Sequence, residues 1–192
     1  MSRILLSVVV IVYDMPRQAL NTLYSLSNDY QQNVDGDCYE VIVVENRSKN
    51  VMDPQDIDRL RGNFRYFLRD EKSVSPAAAI NFALTQCRGE HVCFMIDGAR
   101  IATPGVLQYS LMACKITPDA LVVVPGYHLG PLEHHLLDES NYSEKREQTD
   151  LADAGWPSNG YALFSISCYS GGNRHGGDDH RHIGERVVAA EQ

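Results

Sequence analysis

No glycine stands among the first thirty-five residues of this chain; the earliest is Gly36. A dinucleotide-binding fold places GxGxxG directly after its first strand, and a P-loop needs GxxxxGK followed by Ser or Thr. Both devices are excluded, as is the glycine-rich loop that sugar-nucleotide pyrophosphorylases use after strand one. Cysteine is equally uninformative as a ligand: Cys38, Cys87, Cys93, Cys114 and Cys168 are odd in number and show no CxxC spacing. Three of them, Cys87, Cys93 and Cys114, lie in apolar patterns, which predicts buried free thiols and fits a reducing cytoplasm. Positive charge is scarce, with 17 Lys and Arg against 25 Asp and Glu and a net charge of -8. That balance excludes a broad nucleic-acid footprint. It leaves room for a local phosphate site, where a metal ion or a helix N-terminus supplies the charge. No apolar run approaches the ~18 to 20 residues needed to span a bilayer. The start, Met1-Ser2-Arg3 before Val- and Ile-rich sequence, reads as a first strand because no small-residue cleavage pattern follows. Internal repeats and low-complexity segments are absent from residues 4–125.

What is present is a set of apolar runs that stop at polar clusters. Residues 4–12 run into Tyr13 and Asp14, residues 41–44 into Glu45, Asn46, Arg47 and Ser48, and residues 92–96 into Asp97, Gly98, Ala99 and Arg100. Nearly continuous apolar runs suit strands buried on both faces of a parallel sheet. Helix signals alternate with them. Pro16 suits the first turn of a helix whose inner face carries Ala19, Leu20, Leu23 and Leu26. Asp53-Pro54 predicts an N-cap and a short helix burying Ile57 and Leu60. Ser75-Pro76 opens a helix with Ala79, Ile80, Ala83, Leu84 and Cys87 inward, which Gly89 ends. Thr103-Pro104 opens one with Leu107 and Leu111 inward.

The predicted strands are 4–12, 39–44, 64–68, 91–96 and 120–124. The fold class is therefore α/β: an open, mostly parallel sheet flanked by helices. In such sheets ligands bind outside the carboxyl ends of the strands, where the polar clusters fall. Beyond Pro125 the pattern weakens to a helix near 137–151 and one more strand at 161–168. A glycine- and histidine-rich tail over 171–192 has too little apolar content to pack.

Four stretches carry a family resemblance. Ser7-Val-Val-Val-Ile-Val-Tyr-Asp14 and Tyr39-Glu-Val-Ile-Val-Val-Glu-Asn-Arg-Ser48 resemble the opening and second strand of glycosyltransferase family 2. The family's patterns there are S-V-V-I-x-x-Y-N and Y-E-I/V-I-V-V-D-N/D-G/R-S. Ala78-Ala-Ile-Asn-Phe-Ala-Leu84 with Gly89-Glu90, then Phe94-Met-Ile-Asp97, resemble its A-x-N helix, G-E turn and F-L-D strand. The match covers residues 4 to about 112. It implies the GT-A fold, with residues 1–170 as a nucleotide-sugar-binding domain and 171–192 as a disordered tail.

It further implies a nucleotide-diphospho-sugar donor, a glycan, lipid or small-molecule acceptor, and a divalent cation, Mn2+ or Mg2+. By resemblance Tyr13 and Asp14 line the nucleotide pocket, Glu45 contacts the base, and Asn81 sits on the flanking helix. Asp97 stands as first aspartate of the D-x-D element, near ribose and metal. Carboxylates suit those roles as hydrogen-bond acceptors and oxygen ligands.

The chain departs from the family in two ways. Gly98 and Ala99 occupy the places where the family sets its metal-binding carboxylate, which leaves Asp97 alone in that element. The run from Ile96 to Arg100 with Pro104-Gly105 resembles a bacterial subgroup of the family, and Arg100 is an alternative source of positive charge. The family also continues into an acceptor-binding half with a general base, so the sequence reads as a C-terminally truncated donor half, and no catalytic base is named. The expected function is hexosyl-type transfer. The alternatives are a non-catalytic nucleotide- or sugar-binding relative, a truncated inactive one, and a fragment that needs a partner chain. Peripheral membrane association and a homo-oligomer remain open. His175, Asp178, Asp179, His180 and His182 have transition-metal ligand chemistry without the spacing of a known site, and His134, His135, Asp138 and Glu139 read as a solvated helix surface.

Overall fold

The computed structural model describes residues 3–71, 75–96, 98–117, 119–132 and 143–169. These fall into two compact units, one reaching Leu121 and one starting at Val122. The first unit is built on a parallel sheet of β1 (Leu6–Val12), β2 (Tyr39–Asn46), β3 (Phe64–Arg69) and β4 (His91–Met95) in the order β3-β2-β1-β4. Leu6 stands opposite both Tyr39 and His91, Val12 opposite Glu45, and Asn46 opposite Arg69. The central strands β1 and β2 are buried at every residue, which explains why their sequences do not alternate.

Helices α1 (Pro16–Ser25), α2 (Pro54–Asp58), α3 (Ala77–Gln86) and α4 (Val106–Ile116) connect and cover the strands. The period of two in each strand sorts them into two packed layers. Val8, Val10, Val41 and Val43 share one apolar cluster with Ala19 and Leu23 of α1, Ile57 of α2 and Leu107 of α4. Val9, Ile11, Ile42 and Val44 share the other with Ala79 and Ala83 of α3. Pro16 occupies the first turn of α1, and the Asp53 side chain accepts the Gln55 N–H at the start of α2, as their sequences predict. Helix α3 begins one residue later than expected, with Pro76 at its cap, and α4 begins after Gly105.

The expected strand 120–124 is not found, and the expected strand 161–168 is found only at its end. Of residues 120–124 only Ala120 forms an isolated bridge, and Val123 and Val124 are exposed. A short β-branched run needs a neighbour to bond, and Pro125 removes a donor at its end. Residues 161–168 mostly coil instead into a 3-10 helix, Gly160–Ile166, opened by the bond from Ala162 N–H to Asn159 O at 3.1 Å. In the second unit, β5 (Tyr127–Leu129) pairs antiparallel with β6 (Ser167–Tyr169). Tyr127 meets Phe164 and Tyr169 edge-on, with ring centroids 5.0 and 5.5 Å apart. Helix α5 (Glu144–Asp153) is capped by Ser143, whose hydroxyl accepts the Arg146 N–H. The earlier part of the expected 137–151 helix, both histidine-carboxylate clusters and the tail lie outside the described residues. No helix among the described residues is long and apolar enough to cross a membrane. All five cysteines are free and half-buried.

Candidate functional site

From β1 the chain passes outward to β2 and β3, then returns across α3 to lay β4 on the other side of β1. The strand order therefore reverses between β1 and β4, and the crevice for a ligand opens outside their carboxyl ends. Residues 13–15, 47–53 and 96–105 are the loops around that point.

The turn after β1 holds Tyr13 and Asp14. Tyr13 is half exposed. Asp14 has a φ of 55°, the left-handed region that aspartate tolerates better than most residues. Its Oδ1 accepts from Asn50 N at 3.2 Å and Asn50 Nδ2 at 3.0 Å. The β1 turn is thus latched to the loop after β2.

Glu45 has no exposed surface. It points into the layer that holds Met52 and Ile57, and both its oxygens are engaged. Met52 N–H donates to them at 3.3 and 3.1 Å, and the Tyr66 hydroxyl donates to Oε2 at 2.6 Å. The carboxylate therefore fixes the loop after β2 from beneath. Burial pushes the Tyr66 hydroxyl well above its ordinary value, and the hydrogen bond to Glu45 and that carboxylate's charge act in the same direction.

Burial also raises Tyr39, whose hydroxyl donates to Leu26 O at 2.8 Å. Both phenols stay protonated in the folded chain where the unfolded chain ionises. Their contribution to stability is complete below about pH 10 and is lost as pH climbs beyond it. Burial also raises the thiols of Cys38, Cys87, Cys93 and Cys114. Urea midpoints should therefore begin to fall near about pH 9 and fall further above about pH 10, the second part less steeply in Tyr66→Phe. An unchanged slope in that variant would count against the assignment.

Asn46, next along β2, points to the α3 face because side chains alternate. It is only 5% exposed, and its Oδ1 has no hydrogen-bond partner. A buried acceptor left unmatched at a crevice is a group ready for a ligand donor. The sequence contained one signal for it: the second polar residue after a doubly buried run must face opposite the first. Asn81 lies on the exposed side of α3, one turn from its start, while Ala79 and Ala83 face the sheet. Asp97 lies outside the described residues.

The loop that flanks Asp97 is held by polar side chains of α1 and the segment after it, none of which the sequence reading singled out. Thr22 Oγ1 donates to Gly98 O at 2.6 Å and accepts the Arg100 N–H at 2.9 Å. Ser25 Oγ accepts the Ala102 N–H at 2.9 Å, and Gln31 Nε2 donates to Thr103 O at 3.0 Å. Thr22 and Ser25 are fully buried. Two polar residues, three apart, on an otherwise apolar helix face are the trace they leave in the sequence.

A divalent cation is common in the family that the chain resembles, and Asp97, the acid expected to hold it, lies outside the described residues. Among the described residues no three His, Cys, Asp or Glu side chains come together. Gly98 is buried against β1, where an added Cβ would lie 3.1 Å from Val12 Cγ2 and 3.3 Å from Ile11 O. A side chain there would need the Val12 side chain to give by a few tenths of an ångström.

No curated protein is a significant match to the chain. Solved structures of S. aureus TarS are similar. The crystal structure of its residues 1-349 is 22% identical, with a TM-score of 0.55 over 67% of this chain and 42% of that one. The complex of the same protein with UDP-GlcNAc is 22% identical at a TM-score of 0.56, over 73% of this chain and 39% of that one. Its complex with UDP gives 22% and 0.56, with coverages of 73% and 40%. This chain thus spans about two fifths of the length of those structures. At this identity the likeness establishes the fold, an α/β sheet of the GT-A kind. The description Glycosyl transferase family 2 matches residues 7–160, most of the chain, and the protein belongs to glycosyltransferase family 2.

Proposed function

We propose that this chain binds a nucleotide-diphospho-sugar at the carboxyl edge of its sheet and acts as the donor-binding part of a glycosyltransferase. The carrying observation is the reversal of strand order at β1 and β4, with the loops beside it latched by Asp14, Asn50 and Glu45. The base lies between the Tyr13 ring and the end of β2, with Asn46 reading its edge. A carboxamide accepts from N3–H of uracil through Oδ1 and donates to a ring carbonyl through Nδ2. Glu45 acts on the base through the loop it holds rather than by touching it. Asp14 and Asp97 face the ribose and diphosphate, and Asn81 flanks them on α3. The complexes of TarS with UDP and UDP-GlcNAc support a uridine donor. In transfer, an acceptor hydroxyl of a glycan, lipid or small molecule attacks the anomeric carbon in line and the nucleoside diphosphate leaves. Five free thiols suit the cytoplasm.

Thermal unfolding with UDP, TDP and GDP, each with and without Mn2+, tests the reading. UDP at a hundredfold excess over Kd should raise the midpoint by about 5 to 10 °C, and GDP by less. No response to any nucleotide would sink the proposal. Gly98 and Ala99, standing where a second carboxylate is expected, favour a second reading: a binding protein without turnover. A midpoint shift without release of UDP from UDP-sugars on incubation with acceptors would select it.

A further inference from the structure

We propose that the second unit carries a binding surface for an uncharged glycan, built on a row of exposed aromatic rings. The surface uses none of the residues assigned to the donor above. Tyr127 and Tyr169 stand opposite each other on β5 and β6, and directly opposed residues share one face of the ribbon. The 3-10 helix Gly160–Ile166 extends the row. Its period of three turns Gly160 and Leu163 inward and sets Tyr161 and Phe164 along one outer edge. The Phe164 ring closes on Tyr127 with centroids 5.0 Å apart. Tyr127, Tyr161, Phe164 and Tyr169 are nevertheless 43% to 48% exposed. Aromatic rings that gather while staying open to water mark an interaction surface rather than a core.

Charge selects the class of ligand. In a chain that is 22% charged, residues 120–132 and 154–169, which supply both strands and the 3-10 helix, contain no Asp, Glu, Lys or Arg. A nucleic acid or an anionic bilayer needs Lys or Arg against its phosphates. A neutral sugar needs none. A pyranose carries hydroxyls at its rim and C–H groups on its faces, and those C–H groups rest on the electron-rich face of an aromatic ring. Tyr127 meets Phe164 and Tyr169 edge-on, at interplanar angles of 74° and 77°. Ring faces and edges therefore alternate along the row, which is no flat platform for a base to stack on. Three of the rings end in a phenol hydroxyl, Ser165 follows Phe164, and Ser167 shares the ribbon face of Tyr169. Such hydroxyls both donate to and accept from those of a sugar. The row thus offers both kinds of surface that a glycan presents.

Calorimetric titration of the full chain with maltohexaose, cellohexaose and chitohexaose, in the absence of nucleotide, tests the surface. At least one of them should bind with a Kd of about 0.1 to 1 mM. Phe164→Ala and Tyr127→Ala should each weaken that binding by about tenfold, whereas Tyr127→Phe keeps the ring and should stay within about threefold. Tyr161→Ala, which touches neither ring contact, serves if those alanine variants fail to fold, and should weaken binding by about threefold to tenfold. Tyr109→Ala removes an exposed ring from α4 in the first unit and should change nothing. No binding of any of the three sugars at about 10 mM would overturn the proposal, as would equal losses from Tyr109→Ala and Phe164→Ala. Binding to phosphatidylcholine vesicles without a response to any sugar would assign the rings to a lipid surface and overturn it too. Because no nucleotide is present, each of these results leaves the donor site standing.

Discussion

Alanine in place of Gly89 should cost at least about 3 kcal/mol of stability, a large share of what holds a domain of this size together. The cause is space rather than backbone conformation. A Cβ at this position would lie 2.5 Å from Ser7 N and 2.7 Å from Leu6 C, both backbone atoms of the central strand β1. Neither can retreat, because Leu6 and Ser7 are paired with β2 on one side and β4 on the other. Gly89 cannot retreat either. Its N–H donates to Ser7 Oγ at 2.9 Å, the Arg88 N–H donates to Glu40 Oε1 at 2.7 Å, and His91 N–H bonds Leu5 O at 3.0 Å. Any shift that makes room for the methyl breaks those bonds at the start of β4. Urea unfolding followed by circular dichroism measures the loss, and a decrease below about 1 kcal/mol would show that the turn gives way cheaply.

What could be read from the sequence followed from burial on both faces. Strands β1 and β2 have helices on either side, so every residue but Asn46 is apolar or internally paired and the runs stand out. Pro16 and Asp53-Pro54 mark helix starts by local chemistry that needs no neighbour. Residues 120–124 and 161–168 carry the same β-branched and aromatic content, yet they form no strand in the main sheet. Composition reports that a segment suits a ladder; it does not report whether a partner edge is there to complete one. The end of β2 fails in the opposite sense. Its polar residues Glu45 and Asn46 remain in the strand because Leu68 and Arg69 of β3 continue the ladder beside them.

The site was legible as an edge, less so as a set of roles. The acidic residues that end the apolar runs stand at the carboxyl ends of the strands. Glu45 reads as an acid at a strand end, but a strand's period of two turns it inward onto Met52 and Tyr66 and turns Asn46, with its unpartnered Oδ1, to the other face. Thr22, Ser25 and Gln31 left only a faint trace because their partners are backbone groups some seventy residues away, Gly98, Arg100, Ala102 and Thr103. Backbone partners leave no residue type to recognise.

The family motifs themselves divide between site and scaffold, and Glu40→Ala separates the two. Glu40 is fully buried near the amino ends of the strands. Ser7 Oγ donates to it at 2.8 Å, Arg88 N–H at 2.7 Å, and Arg65 Nη1 at 3.3 Å. Removing the carboxylate takes a partner from three donors. Of these, Arg88 N–H keeps Ser7 Oγ at 3.2 Å, and the guanidinium, 22% exposed, keeps its bonds to Gln86 but loses its counter-charge. Breaking one side of such a pair costs about 3 to 5 kcal/mol. Arg65→Ala should cost less, because Glu40 keeps its other two donors. The double variant should fall short of the sum of the singles by more than about 1 kcal/mol, since the charge left unpaired by Glu40→Ala is then gone. Additivity would mean that the pair is not coupled. Asn46 lies six positions along β2 from Glu40, about 20 Å of extended chain. Folded Glu40→Ala protein should therefore bind UDP as the parent does, whereas a variant at Asn46 should fold normally and bind it poorly. If the order were reversed, the motif at the amino ends would be part of the site and the carboxyl edge would be scaffold.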